Sequence, residues 1–419
     1  MISKQSIVRT GIRLSILNLA LTTAVGTFLR YHKVFPFYWL NDRYWTHAHS
    51  HTGFLGWMFM AFAITAFAMQ MPDLPKLNKR MYRIIIGLQL SVLGMLVTFP
   101  FTGYGLYSII FSTAHTVLAA IFIFQYFKNS TNKLLSVRLM RVAMVFFLIS
   151  GLGPMTLGPL AVAGLQGTAW YDMAVYFYLH FQYNGWFTFA ILSIFVRHLE
   201  NLGVLNHQAT IRLAAKILLV SVFLTLSLSA YGITANRFVV FFGLTGAFTQ
   251  LISAILLTIV FVKIGRKHPI ASISWARWLL ITALLSWIVK VLLQVISAFP
   301  QFTTLIFTSR DMIMFYLHLM YLGVASCFIL GMWIQQLRLD IGNLFTRAGI
   351  ILLFIGIILT EGFISLRSFP QYLSFEIYSL VNISLLIASA ILLISVLLIL
   401  AGSIHRKPMP PKPYHLPEQ

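Results

Sequence analysis

Tyr44-Trp45-Thr46-His47-Ala48-His49-Ser50-His51-Thr52-Gly53-Phe54-Leu55-Gly56-Trp57 runs without a break into the apolar stretch Met58 to Met71. Three histidines therefore stand at the mouth of a membrane-crossing helix. On such a helix His47 and His51, four residues apart, share a face, while His49 is turned from them by roughly 160 to 200°. Imidazole is the commonest metal ligand at neutral pH, and polar groups at membrane depth carry a functional expectation.

The rest of the chain agrees with a membrane setting. Hydrophobic residues make up 59% of the 419 positions and charged residues 9%, with a mean hydropathy of +0.86; a soluble domain carries about 25% charged residues. Apolar runs continuous for about 20 residues favour helices over the alternating pattern of a barrel. The expected fold is all-α and polytopic, with the lipid bilayer as first partner. Twelve helices are predicted, at about 9 to 30, 46 to 71, 81 to 100, 104 to 127, 138 to 162, 172 to 197, 211 to 232, 237 to 263, 274 to 298, 312 to 336, 345 to 366 and 376 to 402. Short connections make residues 1–403 one membrane domain. Residues 404–419, with five prolines between Pro408 and Pro417, are expected to form a non-helical tail.

The formal charge of +21 is a topology signal. All of the 30 basic residues except Arg30, Lys33, Arg43, Arg237, Lys290, Arg310 and Arg367 fall at the two ends and in alternate loops. By the positive-inside rule both termini are cytoplasmic, which suits a bacterial inner membrane and argues against nucleic acid as a partner. The single cysteine, Cys327, lies in an apolar run, which leaves no intrachain disulfide and no Cys-x-x-Cys-His for covalent haem attachment. The first apolar run lacks a small-residue cleavage site and reads as a retained helix.

This orientation places His51, His115, His180 and His318 in the outer half of the bilayer, roughly 8 to 16 Å from the outer helix ends. Three of these histidines belong to a repeat. The sixth helix contains Phe177-Tyr178-Leu179-His180-Phe181-Gln182-Tyr183-Asn184-Gly185, and the tenth Phe315-Tyr316-Leu317-His318-Leu319-Met320-Tyr321-Leu322-Gly323. Both read Phe-Tyr-Leu-His-x-x-Tyr-x-Gly, and the second helix keeps His51 and Gly56. The spacing is four helices each time, so the bundle is expected to comprise three four-helix units with one histidine each. The glycine leaves room for a flat ligand or a neighbouring backbone to approach.

Twelve helices, both ends inside, a threefold four-helix repeat and histidines on helices two, six and ten near the outer face together resemble subunit I of the haem-copper oxidase and nitric-oxide reductase superfamily. The resemblance implies a low-spin haem ligand among His47, His49 and His51. It implies a high-spin haem ligand at His318, and puts Met320 where the second low-spin ligand would fall. Arg367, with Arg43 and Arg310, lies in the region where the superfamily sets arginines against haem propionates. The copper site of the superfamily needs two further histidines around helix seven, and Ile211 to Asn236 contains none. His180 is therefore expected to lack a three-His copper site, with His115 on helix four as an extra imidazole that could join a second metal, copper or iron.

The expected function is that of a haem-binding membrane redox protein, oxidase-like or nitric-oxide-handling, served by an electron-donor subunit or cytochrome and acting on a small gas. Two alternatives stand beside it: a proton-coupled twelve-helix transporter using the histidines, Lys290 and Glu361, and a haem sensor or assembly factor without turnover. A transporter would show similarity every six helices rather than every four.

Overall fold

A computed structural model describes residues 2–231, 234, 236–302, 309–369 and 372–404. Among them the long helices are α1 (Lys4–Val34), α2 (Asp42–Gln70), α3 (Pro75–Thr102), α4 (Leu106–Asn129), α5 (Leu135–Val162), α6 (169–201), α7 (Gln208–Ser229), α8 (Arg237–Lys267), α9 (Ser274–Ser297), α10 (Arg310–Gln335), α11 (Leu344–Arg367) and α12 (Phe375–Ile404). Eleven are long and apolar enough to cross a membrane; α6 is the one left out. It is helical as expected but interrupts its apolar run with His180, Gln182 and Asn184. The predicted tail lies, from His405 onward, outside the described residues.

Several helices begin before their apolar runs because a side chain caps them. Asn41 accepts hydrogen bonds from the backbone N–H groups of Arg43 and Tyr44, so α2 starts ahead of its hydrophobic run and carries Asp42 in its first turn. Ser3 does the same for α1 through Ser6. In α5 the expected continuous helix is interrupted at Gly151. Pro154 explains the break: it has no N–H for the carbonyl of Ser150, four residues back, and its ring crowds that carbonyl.

The described chain divides into two compact units, Met1–Thr131 with Ile329–Pro410, and Asn132–Phe328. The first holds α1 to α4, the end of α10, α11 and α12. Within it α2 is the enclosed element, with 89% of its apolar window buried against 44% for α1 and α3. Trp57 meets Trp333 edge-on at 5.7 Å, and the Trp333 indole donates to Thr65 Oγ1 at 2.9 Å. The second unit holds α5 to α9 and α10 as far as Phe328.

The sequence repeat has a structural counterpart that its residues did not announce. In α2, α6 and α10 the backbone widens into a π-helical segment beginning one residue after the repeat histidine: Thr52–Phe59 after His51, Phe181–Phe187 after His180, and Leu319–Ser326 after His318. Such segments are rare and concentrate at functional positions. Widening releases carbonyls from the usual i to i−4 pattern, and each segment receives a substitute side-chain donor. Thr188 Oγ1 donates to the Tyr183 carbonyl at 2.7 Å and Ser326 Oγ to the Tyr321 carbonyl at 2.9 Å, both eight residues after the histidine and five after the tyrosine. In α2, where that place is Phe59, Asn18 Nδ2 of α1 donates to the Gly56 carbonyl at 3.0 Å while exchanging amide bonds with Gln89.

The repeat glycines admit neighbouring side chains rather than a flat ligand or a neighbouring backbone. A Cβ on Gly56 would fall 2.8 Å from Val92 Cγ1, on Gly185 2.5 Å from the Phe146 ring, and on Gly323 2.6 Å from Ser286 Oγ. Gly185→Ala is accordingly expected to destabilise the protein by about 1–3 kcal/mol, read as a lower unfolding midpoint, because Phe146 is wedged among Phe181, Phe189 and Phe223. An unchanged midpoint would mean that the aromatic layer gives way freely.

Candidate functional site

Two polar centres emerge, one in each unit. In the first, the face-sharing predicted for α2 is realised. His47 and His51 both turn to Phe99 of α3 and to Tyr104, with ring centroids 6.0 and 4.5 Å from Phe99 and 4.8 and 5.9 Å from Tyr104. His49 points the other way, to α1, where Nδ1 bonds the Thr22 carbonyl at 2.9 Å. The His49 ring fills the space above Gly26, 2.9 Å from where a Cβ would lie.

His51 Nδ1 donates to the carbonyl of His47, one turn back, at 2.9 Å. This bond fixes the proton on Nδ1 and leaves the lone pair on Nε2, the arrangement in which a metal-ligating imidazole is usually held. The Tyr104 hydroxyl lies 3.5 Å from Nε2. His318, in the second unit, repeats the device: its Nδ1 donates to the Met314 carbonyl, again one turn back, at 2.8 Å. Both rings are half-buried.

His180 is held differently. Its Nε2 bonds the Val222 carbonyl at 2.7 Å, and its Nδ1 accepts from Asn184 Nδ2 at 3.3 Å, so both ring nitrogens are engaged. Asn184 is the hub of a buried cluster that sequence reasoning missed. Its Oδ1 accepts from Lys290 Nζ and from Gln250 Nε2, the latter at 3.3 Å. Lys290, 0% exposed, also donates to Gln294 Oε1 at 2.6 Å, and the Tyr316 hydroxyl donates to the same oxygen at 3.0 Å. No carboxylate among the described residues joins this cluster. The available signal was the four-residue spacing of His180 to Asn184 and of Lys290 to Gln294, which puts each pair on one helix face.

His115 lies in the first unit on α4, fully buried, edge-on to Phe59 of the α2 π segment at 5.5 Å. It faces the Leu55 backbone, yet neither ring nitrogen reaches full hydrogen-bonding geometry. Glu361 on α11 likewise has both carboxylate oxygens buried with no hydrogen-bond partner. Arg367 is 6% exposed at the end of α11 and donates Nη1 to Asn382 Oδ1 at 2.8 Å. Met320 is fully buried in the π segment of α10, against an apolar cavity of the second unit. No three His, Cys, Asp or Glu side chains among the described residues come together as a metal-binding group.

No family model matches this chain, and no curated protein matches it. A solved structure does: that of a haem-copper terminal oxidase dimer, with a TM-score of 0.68 at 12% identity, covering 99% of this chain and 86% of that one. The protein thus has the fold of haem-copper oxidase subunit I.

Proposed function

We propose that this membrane protein is a haem-binding redox protein in which His51 and His318 each serve as an axial ligand. The observation that carries the reading is the shared tautomer. Two histidines at the same place in a repeat both bind their own i−4 carbonyl through Nδ1, which orients each ring and makes Nε2 the nitrogen that would ligate iron. His47 lies on the same face as His51 and lines the same aromatic wall, whereas His49 joins α2 to α1. Arg367, steadied by Asn382, offers a guanidinium suited to a carboxylate such as a haem propionate. Haem would supply one-electron chemistry and, where one axial position stays open, a place for a small gas. A membrane-bound or soluble cytochrome, or a partner subunit, would deliver electrons, and a bacterial inner membrane suits the charge pattern.

A copper ion does not fit at His180. Its two nitrogens are committed to Val222 and Asn184, and the nearest polar company is a lysine and two amides, which are not copper ligands. The reading therefore departs from four-electron oxygen reduction at a haem-copper pair. It leaves electron transfer, gas reduction at haem alone, or gas sensing.

An absorption spectrum of the purified protein, oxidised and then reduced, with metal analysis of the same sample, tests it. The expected result is a Soret band, visible bands that sharpen on reduction, and iron without stoichiometric copper. A colourless protein from cells supplied with haem would overturn the reading and turn Lys290 and Glu361 into candidates for proton-coupled transport.

A further inference from the structure

The second unit also contains a cavity of about 610 Å³ that belongs to none of the histidine centres. Its walls are apolar, built from Leu192 and Phe195 of α6, Phe261 of α8 and Leu284 of α9, with the buried Trp287 and Met320 also in the lining. Its mouth is different. Arg266, Lys267 and Arg277 stand there, in and beside the α8–α9 connection, and no acidic residue lines any part of it. Arg277 is fixed at the rim by donating Nε and Nη2 to the Ala271 carbonyl at 3.3 and 3.1 Å. The three cations are exposed, whereas Trp287 is 9% exposed.

We propose that this cavity binds one molecule of an anionic phospholipid, its phosphate at Arg266, Lys267 and Arg277 and one acyl chain in the channel. The dimensions agree: Trp287 follows Arg277 by ten residues of α9, or ~15 Å of helix, which is most of the length of an acyl chain. Charge decides between lipids. A zwitterionic head brings its own cation to a rim that already holds three and offers no carboxylate to meet it. A phosphatidylglycerol head brings net negative charge, and each Lys or Arg facing it at a membrane surface contributes roughly 1 kcal/mol. The mouth also belongs to the Lys- and Arg-rich set of loops, the side on which an anionic leaflet is expected.

The test is lipid binding to delipidated protein in detergent, followed by the unfolding midpoint and by native mass spectrometry. Dioleoyl-phosphatidylglycerol should raise the midpoint saturably and remain bound at one molecule per chain, and dioleoyl-phosphatidylcholine should do neither. Arg266→Gln with Lys267→Gln, both solvent-facing and harmless to the fold, should weaken phosphatidylglycerol binding at least about tenfold. Ala283→Phe, which places a ring in the channel, should abolish retention while leaving the cationic rim intact. Equal binding of the two lipids would overturn the proposal, as would undiminished phosphatidylglycerol binding in both variants. A full midpoint shift with glycerol 3-phosphate would also overturn it, since the site would then read free phosphate and not a lipid.

Discussion

His51→Ala and His318→Ala are each expected to remove or displace haem absorbance, while His198→Ala leaves the spectrum intact. The contrast follows from how the three rings are tied. In His51 and His318 the bond to the i−4 carbonyl consumes Nδ1 and orients the ring, so truncation would remove both the nitrogen proposed as ligand and the means of aiming it. Loss of one axial ligand alters iron spin state and coordination number, which the Soret position reports directly. His198, also buried, spends its Nε2 on the Ile270 carbonyl at 2.8 Å and joins α6 to the α8–α9 connection. Its removal should cost about 1 kcal/mol of stability and no colour. Wild-type spectra in both His51→Ala and His318→Ala would sink the ligand assignment. Loss of colour in His198→Ala as well would show that haem retention merely follows stability.

Much of this arrangement of side chains was legible in the residues, and the reasons for the remainder are physical. A four-residue spacing on a helix has one geometric outcome, so the pairing of His47 with His51 and the opposition of His49 followed from 100° per residue. The repeat was legible as far as its glycine. Its continuation was not, because Thr188 and Ser326 are different residue types, Phe59 is neither, and the need for a hydroxyl arises only once the helix has widened. A π segment has no compositional signature of its own. The break in α5 was readable in principle from Pro154, whose conflict with the Ser150 carbonyl is local. The cluster around Asn184 was legible only as two same-face pairs, His180 with Asn184 and Lys290 with Gln294: hydropathy marks amides in a membrane helix as costly, but nothing local joins one pair to the other. The division into two units depends on α12 packing against α1, a contact between the two ends of the chain that no local pattern encodes.

The amide cluster yields the second large effect, a coupling between Asn184 and Lys290. Asn184 Oδ1 and Gln294 Oε1 are the two acceptors for the buried lysine. Asn184→Leu strips one of them and also unties His180 Nδ1 and Gln250 Nε2, leaving a buried cation with half its support. A hydrogen bond to a charged group typically contributes about 1.5–3 kcal/mol, and with three contacts of Asn184 lost together about 3 kcal/mol is expected here. Lys290→Met should behave otherwise. Gln250 still donates to Asn184 Oδ1 and Tyr316 to Gln294 Oε1, so neither oxygen is orphaned, and a thioether takes the place of a group whose desolvation opposed folding. Its expected effect on stability is within about 1 kcal/mol of zero. Combining Lys290→Met with Asn184→Leu should then recover most of what Asn184→Leu loses, a coupling of about 2 kcal/mol in a double-mutant cycle followed by unfolding in mixed micelles. Strict additivity would mean that Asn184 acts by packing alone and that water or another group supports the lysine. Lys290→Glu makes the sign plain, because a carboxylate facing two amide oxygens finds acceptors where it needs donors. That variant should be the least stable of the set unless the carboxyl binds a proton and donates it to Gln294, in which case its stability will fall as pH rises.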